Sequence, residues 1–443
     1  MGLTADIGAF VSSIEQASLP AGAMPVVRGG FTDCVAVMIA GRDQEVTRIV
    51  GGSVGARFGD NGLLVSGVGA PDAALLYGTA AHALDYDDVA LSGHPSAVLV
   101  PAILAEAADS GADGAAMARA YVAGYEVWAE LIGRDADQHH LKGWHPSAVF
   151  GTIAAAAACA ALRRLDAAKA AHTVGIAASM AAGVGANFGS MTKPFQVGRA
   201  AQSGLLAARL AQAGLTASPD AIEHNLGFLR AVSPKGNVDT AAPAALGRRW
   251  RILESGLNVK LYPVCYCVHR SLDAMLDLVR GENVKADDIA GVAVEIGEVQ
   301  AAVLRNHRPQ RGLDAKFSAE FAMAAAAIAR RCGMSELSDA FVQRADVQAF
   351  LPKVSVTATP GKCAEDSLMA PHDRVRITLR DNRELASPPI SYPRGHFKNP
   401  VDAEALWGKF SDCVNGAPIA ARPLFDRLQR IDTLQSVAEI GRH

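Results

Sequence analysis

The chain has no GxxxxGK[ST] phosphate loop, and Gly183-Val-Gly185-Ala-Asn-Phe-Gly189 is wrongly spaced for a dinucleotide fingerprint. No nucleophile elbow of the Gly-x-Ser-x-Gly kind is expected either. Excess charge is missing too: 42 Lys and Arg face 45 Asp and Glu, for a net charge of −3. Nothing in that balance suggests nucleic acid or an anionic membrane as a partner, so any positive site must be a local pocket. The seven cysteines are odd in number and lack paired short spacings, which points to a reducing compartment. Cys265-Tyr-Cys267 is too tight for a metal knuckle and has no second pair. The first residues, MGLTADIGAF, contain no basic segment followed by an apolar core, and Asp6 stands where a myristoylation signal needs Ser or Thr. The longest charge-free run, between Lys169 and Lys193, is too rich in Ala, Gly, Ser and Thr to span a membrane. The expectation is a soluble, cytoplasmic protein.

What the chain does have is a concentration of chemistry at His82-Ala-Leu-Asp85-Tyr-Asp87-Asp88, followed by Gly93-His94-Pro95-Ser96. Carboxylates beside imidazoles are what proton transfer needs, because the acid orients the ring and sets its proton affinity. A helix continued to Asp88 would place His82, Asp85 and Asp88 near one face; Asp87 alone reads as a solvated charge at a helix end. Three further polar islands interrupt apolar surroundings: His145 in Gly143-Trp-His-Pro-Ser147, then Lys193 with Arg199, then Lys260-Leu-Tyr262-Pro with His269-Arg270. A lysine stranded among apolar residues is costly unless paired. Lys and Arg are the natural holders of carboxylate groups. His139, His140 and His172 read as ordinary.

The pattern along the chain divides it by composition. Up to about residue 215 it is helical, with Pro101–Ala108, 114–133, 148–162, 166–182 and 196–214 as clear segments and Asp60-Asn61-Gly62 as a turn. Alternation then marks strands at Gly291–Ile296, Val354–Ala358 and Arg374–Arg380, with Glu384–Ser391 returning after a turn at Asp381-Asn382. Ser271–Leu278 and Ser318–Ala329 read as helices beside them. The expected fold is mostly α: a large all-helical domain from residues 1–263 and 395–443, with a smaller inserted α+β domain over 264–394. No repeat, low-complexity tract or long linker is evident. The fourth island falls at the expected domain junction, a common place for a pocket.

Seven stretches, in order, resemble the MmgE/PrpD family, which includes 2-methylcitrate dehydratases, cis-aconitate decarboxylases and an iminodisuccinate epimerase. They are HALDYDD (82–88), GHPS (93–96), GWHPSAVFGT (143–152), MTKPFQVGRAAQSGLLAARLA (191–211), VKLYPVCY (259–266) with His269-Arg270, AKFSAEF (315–321) and YPRGHFKNP (392–400). The resemblance implies that Asp85, His94, His145, Lys193 and Lys260 line an active site. It also implies a homodimer and a reaction that needs no metal and no organic cofactor. Gln196, Arg199, Tyr262, His269 and Asp88 are the expected substrate-binding residues around that core. The chain departs from the decarboxylase branch at Val89, where a threonine is usual, and at Phe321, where a tyrosine is. Gln196 stands where the family commonly has histidine, and the WGHPSDN run of the methylcitrate dehydratases is replaced by Leu91-Ser-Gly-His-Pro-Ser-Ala. The implied activity is a dehydratase-like lyase that removes a proton beside a carboxylate of a small di- or tricarboxylate. The alternatives are an epimerase using two imidazoles and a metal-dependent hydrolase with Asp85, Asp88, His94 and His145 as ligands.

Overall fold

Small side chains decide how the helices of this protein pack. A computed structural model describes residues 2–59, 63–361, 363 and 369–441; the expected turn at Asp60-Asn61-Gly62 lies outside them. The fold is mostly α, and its contacts divide it into one unit of Met1–Asn258 with Trp407–His443 and another of Val259–Leu406.

The first unit opens with nine helices: α1 (Leu3–Ser13), α2 (Ala23–Gly41), α3 (Glu45–Val54), α4 (Ala70–His82), α5 (Pro95–Ser110), α6 (Gly114–Ile132), α7 (Pro146–Leu162), α8 (Ala167–Met180) and α9 (Thr192–Gln212). Helix α7 is buried all round, and α9 packs along both α4 and α7. The α4–α9 crossing is glycine on glycine. A Cβ on Gly198 would stand 2.2 Å from the carbonyl oxygen of Leu75, and one on Gly78 would stand 2.7 Å from the Gly198 Cα. That approach brings the end of α4 against the start of α9, where the site residues lie.

Two corrections concern this unit. It is not entirely helical: β1 (Arg57–Phe58) pairs antiparallel with β2 (Val65–Ser66). Strands of two residues leave no alternation to read; this pair is held by Tyr77, whose hydroxyl accepts from the Val65 N–H and whose ring meets Phe58. The residues Gly51-Gly-Ser53-Val-Gly55 do spell a nucleophile-elbow pattern, against expectation. Ser53 nevertheless sits in the last turn of α3, bonded to the Val50 carbonyl, with no strand leading into it, so the geometry that activates such a serine is missing. Among the described residues one helix, α2, is long and apolar enough to cross a membrane, and 67% of its apolar window is buried inside the protein.

The second unit holds a four-stranded sheet of order β4 (Val354–Thr359), β3 (Ile289–Gly297), β5 (Arg374–Leu379), β6 (Glu384–Ala386). Strand β3 runs parallel to β4 and antiparallel to β5. The register sets Val292 opposite Ile377 and Val294 opposite Val375, all buried on one face, as their alternation requires. The returning strand β6 is only three residues long, and Asn382 in the turn before it takes a left-handed conformation, φ 68°. The helices His269–Gly281 and Ala319–Ala329 pack together on the core of this sheet.

Candidate active site

Helix α4 stops at His82 rather than running on to Asp88. Asp85 adopts a left-handed backbone, φ 52°, which an aspartate tolerates better than most residues. The reversal changes which carboxylate faces which ring. Asp87, not Asp88, turns back to His82: its two oxygens lie 2.9 and 3.0 Å from His82 Nδ1, and both side chains are completely buried. Asp88 points elsewhere, accepting from the Ser96 N–H at 3.3 Å. Burial and the nearby Asp33 push its carboxyl well up. Asp88 therefore belongs to a buried network with Ser96 and Asp33. Asp87, which spacing alone did not single out, is the residue at the centre.

His94 and His145 occupy equivalent positions on two helices. Each is the residue immediately before a proline that opens a helix, α5 for His94 and α7 for His145. Proline suits the first turn because its missing N–H has no partner to lose there. The pentapeptide His-Pro-Ser-Ala-Val occurs at 94–98 and again at 145–149, a short repeat that the reading of the sequence passed over. It also moves the start of α5 back to Pro95, with Pro101 inside the helix. The two starts are tied together, since Ser147 Oγ accepts from the His94 N–H at 3.1 Å. Between α4 and α5 the chain makes a tight reversal in which Ala90 and Gly93 exchange backbone hydrogen bonds of 2.8 and 3.0 Å. Its central residues, Leu91 and Ser92, are both left-handed (φ 51° and 57°), a strained choice for side chains other than Gly or Asn.

The rings converge. His82 meets His94 edge-on at 4.5 Å between centroids, and His145 lies 6.0 Å from His82. His94 Nδ1 stands 3.0 Å from Asp87 Oδ2, and its Nε2 stands 3.7 Å from Asp85 Oδ1. Lys193, in the first turn of α9, places its Nζ 3.0 Å from Asp85 Oδ2 and 5.5 Å from the centre of the Phe188 ring. Phe188 also touches His145, with 4.9 Å between centroids. Gln196 does not wait for a ligand as expected: its Oε1 is 2.7 Å from His145 Nδ1, while its Nε2 donates to the Val184 carbonyl. Arg199 is exposed and donates to Gln202. Six residues beyond Lys193, it falls on another side of α9, so it does not join the cluster.

The network fixes proton positions. Burial would raise the Asp87 carboxyl, but the His82 and His94 imidazoles outweigh it and hold it well below the ordinary range. Asp87 is thus an acceptor, and His82 Nδ1 must carry the proton. Burial, with the positive charges of Lys193 and His94 adding to it against the pull of Asp87, lowers His82 to about 4. Burial likewise takes His145 down to about 2, helped by His82 and Lys193. Its Nδ1 donates to Gln196, whose oxygen can only accept. Both His82 and His145 are therefore neutral, each with a bare Nε2 that is buried and has no partner among the described residues. His140, also lowered to about 4 by burial and by His94, faces Phe188; it is nearer the site than the sequence suggested.

Lys260, Tyr262 and His269 lie in the second unit. Lys260 is 2% exposed. The Tyr262 hydroxyl donates to Asp273 Oδ1 at 2.5 Å, and Arg394 binds the same carboxylate at 3.0 Å. This engagement ties Tyr262 into the core of the second unit. His269 is fully buried between the Tyr262 and Tyr266 rings, with Nε2 3.3 Å from the Val264 carbonyl, again a core position. Gly395 explains part of the 392–400 motif: at φ 91° it receives the Val259 N–H, and a Cβ there would meet the Val259 carbonyl oxygen at 2.0 Å.

Donor atoms of His82, Asp85, Asp87 and His94 lie within 4.8 Å of one another. Yet Asp87 already accepts from His82 and faces His94, and Lys193 pairs with Asp85. The four side chains are already engaged with one another and with Lys193 through hydrogen bonds and ion pairs. Asp88 stands outside this cluster, and so the four ligands expected for a metal hydrolase are not brought together.

Comparison with known proteins agrees with the motifs. The profile of the MmgE/PrpD N-terminal domain matches residues 5–241, and that of the C-terminal domain matches residues 262–422. A cis-aconitate decarboxylase of Homo sapiens is 25% identical over 352 residues, 76% of this chain and 71% of the relative. One of Mus musculus is 26% identical over 389 residues, covering 84% and 77% respectively. One of Aspergillus terreus is 26% identical over 344 residues, covering 72% and 68%.

Proposed function

The chain belongs to the MmgE/PrpD family and is an enzyme of that family, and from that premise we propose that it is a cofactor-independent lyase acting on a small di- or tricarboxylate. The observation that carries the reading is the unlike partners of two helix-start imidazoles, a neutral amide beside His145 and two carboxylates beside His94. His145 is neutral, with its free Nε2 buried, which makes it the general base that takes a proton from the carbon beside a carboxylate. His94 stands between the carboxylates of Asp85 and Asp87, which approach its two ring nitrogens. It is the general acid. Lys193 holds a substrate carboxylate and stabilises the enolate-like charge that builds as the proton leaves. Asp85, released from Lys193 by the incoming anion, orients His94.

With these assignments, elimination proceeds in two proton movements. The C–H electron pair becomes the new double bond as His145 Nε2 takes the proton. The C–O bond breaks, and the departing hydroxide takes the proton from His94 Nε2 and leaves as water. The same pair supports the epimerase alternative, in which His94 returns a proton to the opposite face of the carbanion and no bond to oxygen breaks. Proton NMR in D2O over citrate, 2-methylcitrate, cis-aconitate, malate and both enantiomers of iminodisuccinate separates the two. A new vinyl signal with loss of water or of carbon dioxide supports the lyase, and the product says which. Deuterium at an α-carbon with inversion supports the epimerase, and a stoichiometric metal whose chelation abolishes turnover would overturn both.

A further inference from the structure

Asp87 is shared. One carboxylate serves two imidazoles through the same kind of atom: His82 Nδ1 at 2.9 and 3.0 Å from its two oxygens, and His94 Nδ1 at 3.0 Å from Oδ2. The His94 contact is an ion-pair approach without a well-aligned hydrogen bond, whereas the one Nδ1–H of His82 is shared between both Asp87 oxygens. His82 and Asp87 are completely buried, and neither was among the expected site residues. A buried histidine whose remaining nitrogen has no partner among the described residues is costly to keep, and a leucine or phenylalanine would fill the same space more cheaply.

We infer that His82 and Asp87 form a positioning pair that acts through His94, with His82 restraining Asp87 so that His94 remains a proton donor rather than a permanently charged ion. This rests on the assignment of His94 as the general acid. The physics is a competition for one anion. A carboxylate that already accepts from His82 with both oxygens has less lone-pair density to offer His94. With His82 removed, Asp87 would swing wholly onto His94 Nδ1 and bind its protonated form more tightly. His94 would then release its Nε2 proton less readily. Other charged or titratable groups act around His94 as well: Asp85 at 3.7 Å from Nε2, the Lys193 that pairs with Asp85, and the His145 and His140 rings, which feel its charge. None of these contacts Asp87 through a ring nitrogen, so the pair can be varied while they stay in place.

The tests are His82→Leu, His82→Asn and Asp87→Asn, with pH profiles of kcat/KM and separate kcat and KM. The asparagine amide at position 82 keeps an N–H donor where His82 Nδ1 stands. For His82→Leu the expected result is a kcat loss of about 10- to 100-fold with little change in KM, and an alkaline limb moved to higher pH. Asp87→Asn, which removes the anion, moves that limb to lower pH, and His82→Asn restores the wild-type profile. Nitrogen-15 spectra of labelled histidines, titrated on the whole protein, read the His94 ring directly. They distinguish the two readings: a His94 titration displaced in opposite directions by the variants at positions 82 and 87 upholds the pair even if no polycarboxylate is turned over. Unmoved His94 signals and an unshifted alkaline limb in both His82→Leu and Asp87→Asn overturn it. So does an equal loss in His82→Leu and His82→Asn. Should His82→Leu not fold, the opposed behaviour of His82→Asn and Asp87→Asn decides the matter: His82→Asn must leave the profile in place while Asp87→Asn moves it.

Discussion

His145 Nδ1 and Gln196 Oε1 lie 2.7 Å apart, and this contact leaves the other ring nitrogen of His145 as the one available to a substrate. Gln196 can receive a proton bond but brings no charge, so burial dominates and the ring stays neutral, lowered to about 2. A carboxylate at position 196 would change that balance. In Gln196→Glu the imidazolium gains an anionic partner, worth roughly 1–3 pH units in its favour. A base that must be unprotonated then fails at higher pH than before. The acid limb of kcat/KM should therefore move upward by that amount. An unmoved acid limb would show that His145 is not the group that must lose its proton.

Removal of either helix-start imidazole should strike turnover more than binding. His94→Ala and His145→Ala are each expected to lower kcat by about 10²–10⁴-fold, with KM changed only a few-fold. Lys193→Met should act the other way round as well, raising KM for a dicarboxylate because a charge that meets the ground-state anion is lost. Full turnover in both histidine variants on every accepted substrate would sink the proton-transfer assignment.

The sequence made the chemistry legible where residue type alone carries it. Asp85, His94, His145 and Lys193 come together because imidazoles, a carboxylate and a stranded lysine have few other reasons to sit in alanine-rich surroundings. It failed where backbone direction decides. Nothing in Asp85-Tyr-Asp87-Asp88 announces a left-handed residue at position 85, and that one torsion exchanges the roles of Asp87 and Asp88. Polarity without helical phase does not say which side of α9 Arg199 takes, and no local pattern pairs Tyr262 with Arg394, 132 residues away. The alternating strands of the second unit were readable for the opposite reason: residues 292, 294 and 296 and residues 375, 377 and 379 all bury one face, and a period of two survives any long-range partner.

The strained turn before His94 gives a stability prediction. Ser92 holds φ 57° beside Leu91 at φ 51°, and a left-handed residue with a Cβ costs about 1–2 kcal/mol, part of which glycine gives back through unfolded-state entropy. Ser92→Gly should therefore stabilise the fold by roughly 0.5–1 kcal/mol, seen as a higher urea midpoint with unchanged slope. A lower midpoint would mean that the serine contributes contacts outweighing the strain.

Glu126 supplies a pH prediction. It is buried in α6 and accepts the backbone N–H groups of Arg251 and Ile252 at 2.9 and 2.8 Å, capping a short helix that has no cap of its own. Burial still dominates and raises its carboxyl from 4.5 to about 7. The folded state thus binds a proton that the unfolded state has released between those values. The contribution to stability is full below about 4.5 and is lost as pH rises through about 7. In Glu126→Gln that part of the decline should vanish, as followed by urea unfolding at a series of pH values. An identical decline in the variant would assign it to other groups.

The last prediction joins the tail of the chain to the loop that carries Asp85 and Asp87. Lys409, whose side chain is 1% exposed, pairs with the buried Asp33. Its ammonium also donates to the Tyr86 carbonyl at 2.7 Å and lies over the Tyr86 ring. Tyr86 stands between the two site aspartates, so Lys409 fixes the backbone from which both project. Lys409→Met leaves the Asp33 carboxylate and the Tyr86 carbonyl buried without this donor, a type of change that costs about 3–5 kcal/mol. Burial already pushes the Asp33 carboxyl up, so in the variant it can take up a proton, which holds the loss toward the lower end of that range. The variant's deficit should then grow with rising pH, as that proton becomes harder to keep. Adding Asp33→Leu removes the stranded acid and should recover most of the stability. It should not recover turnover, because the Tyr86 carbonyl still lacks its tether. If the double variant regains full kcat along with stability, Lys409 serves only the fold, and the loop holds Asp85 and Asp87 in place without it.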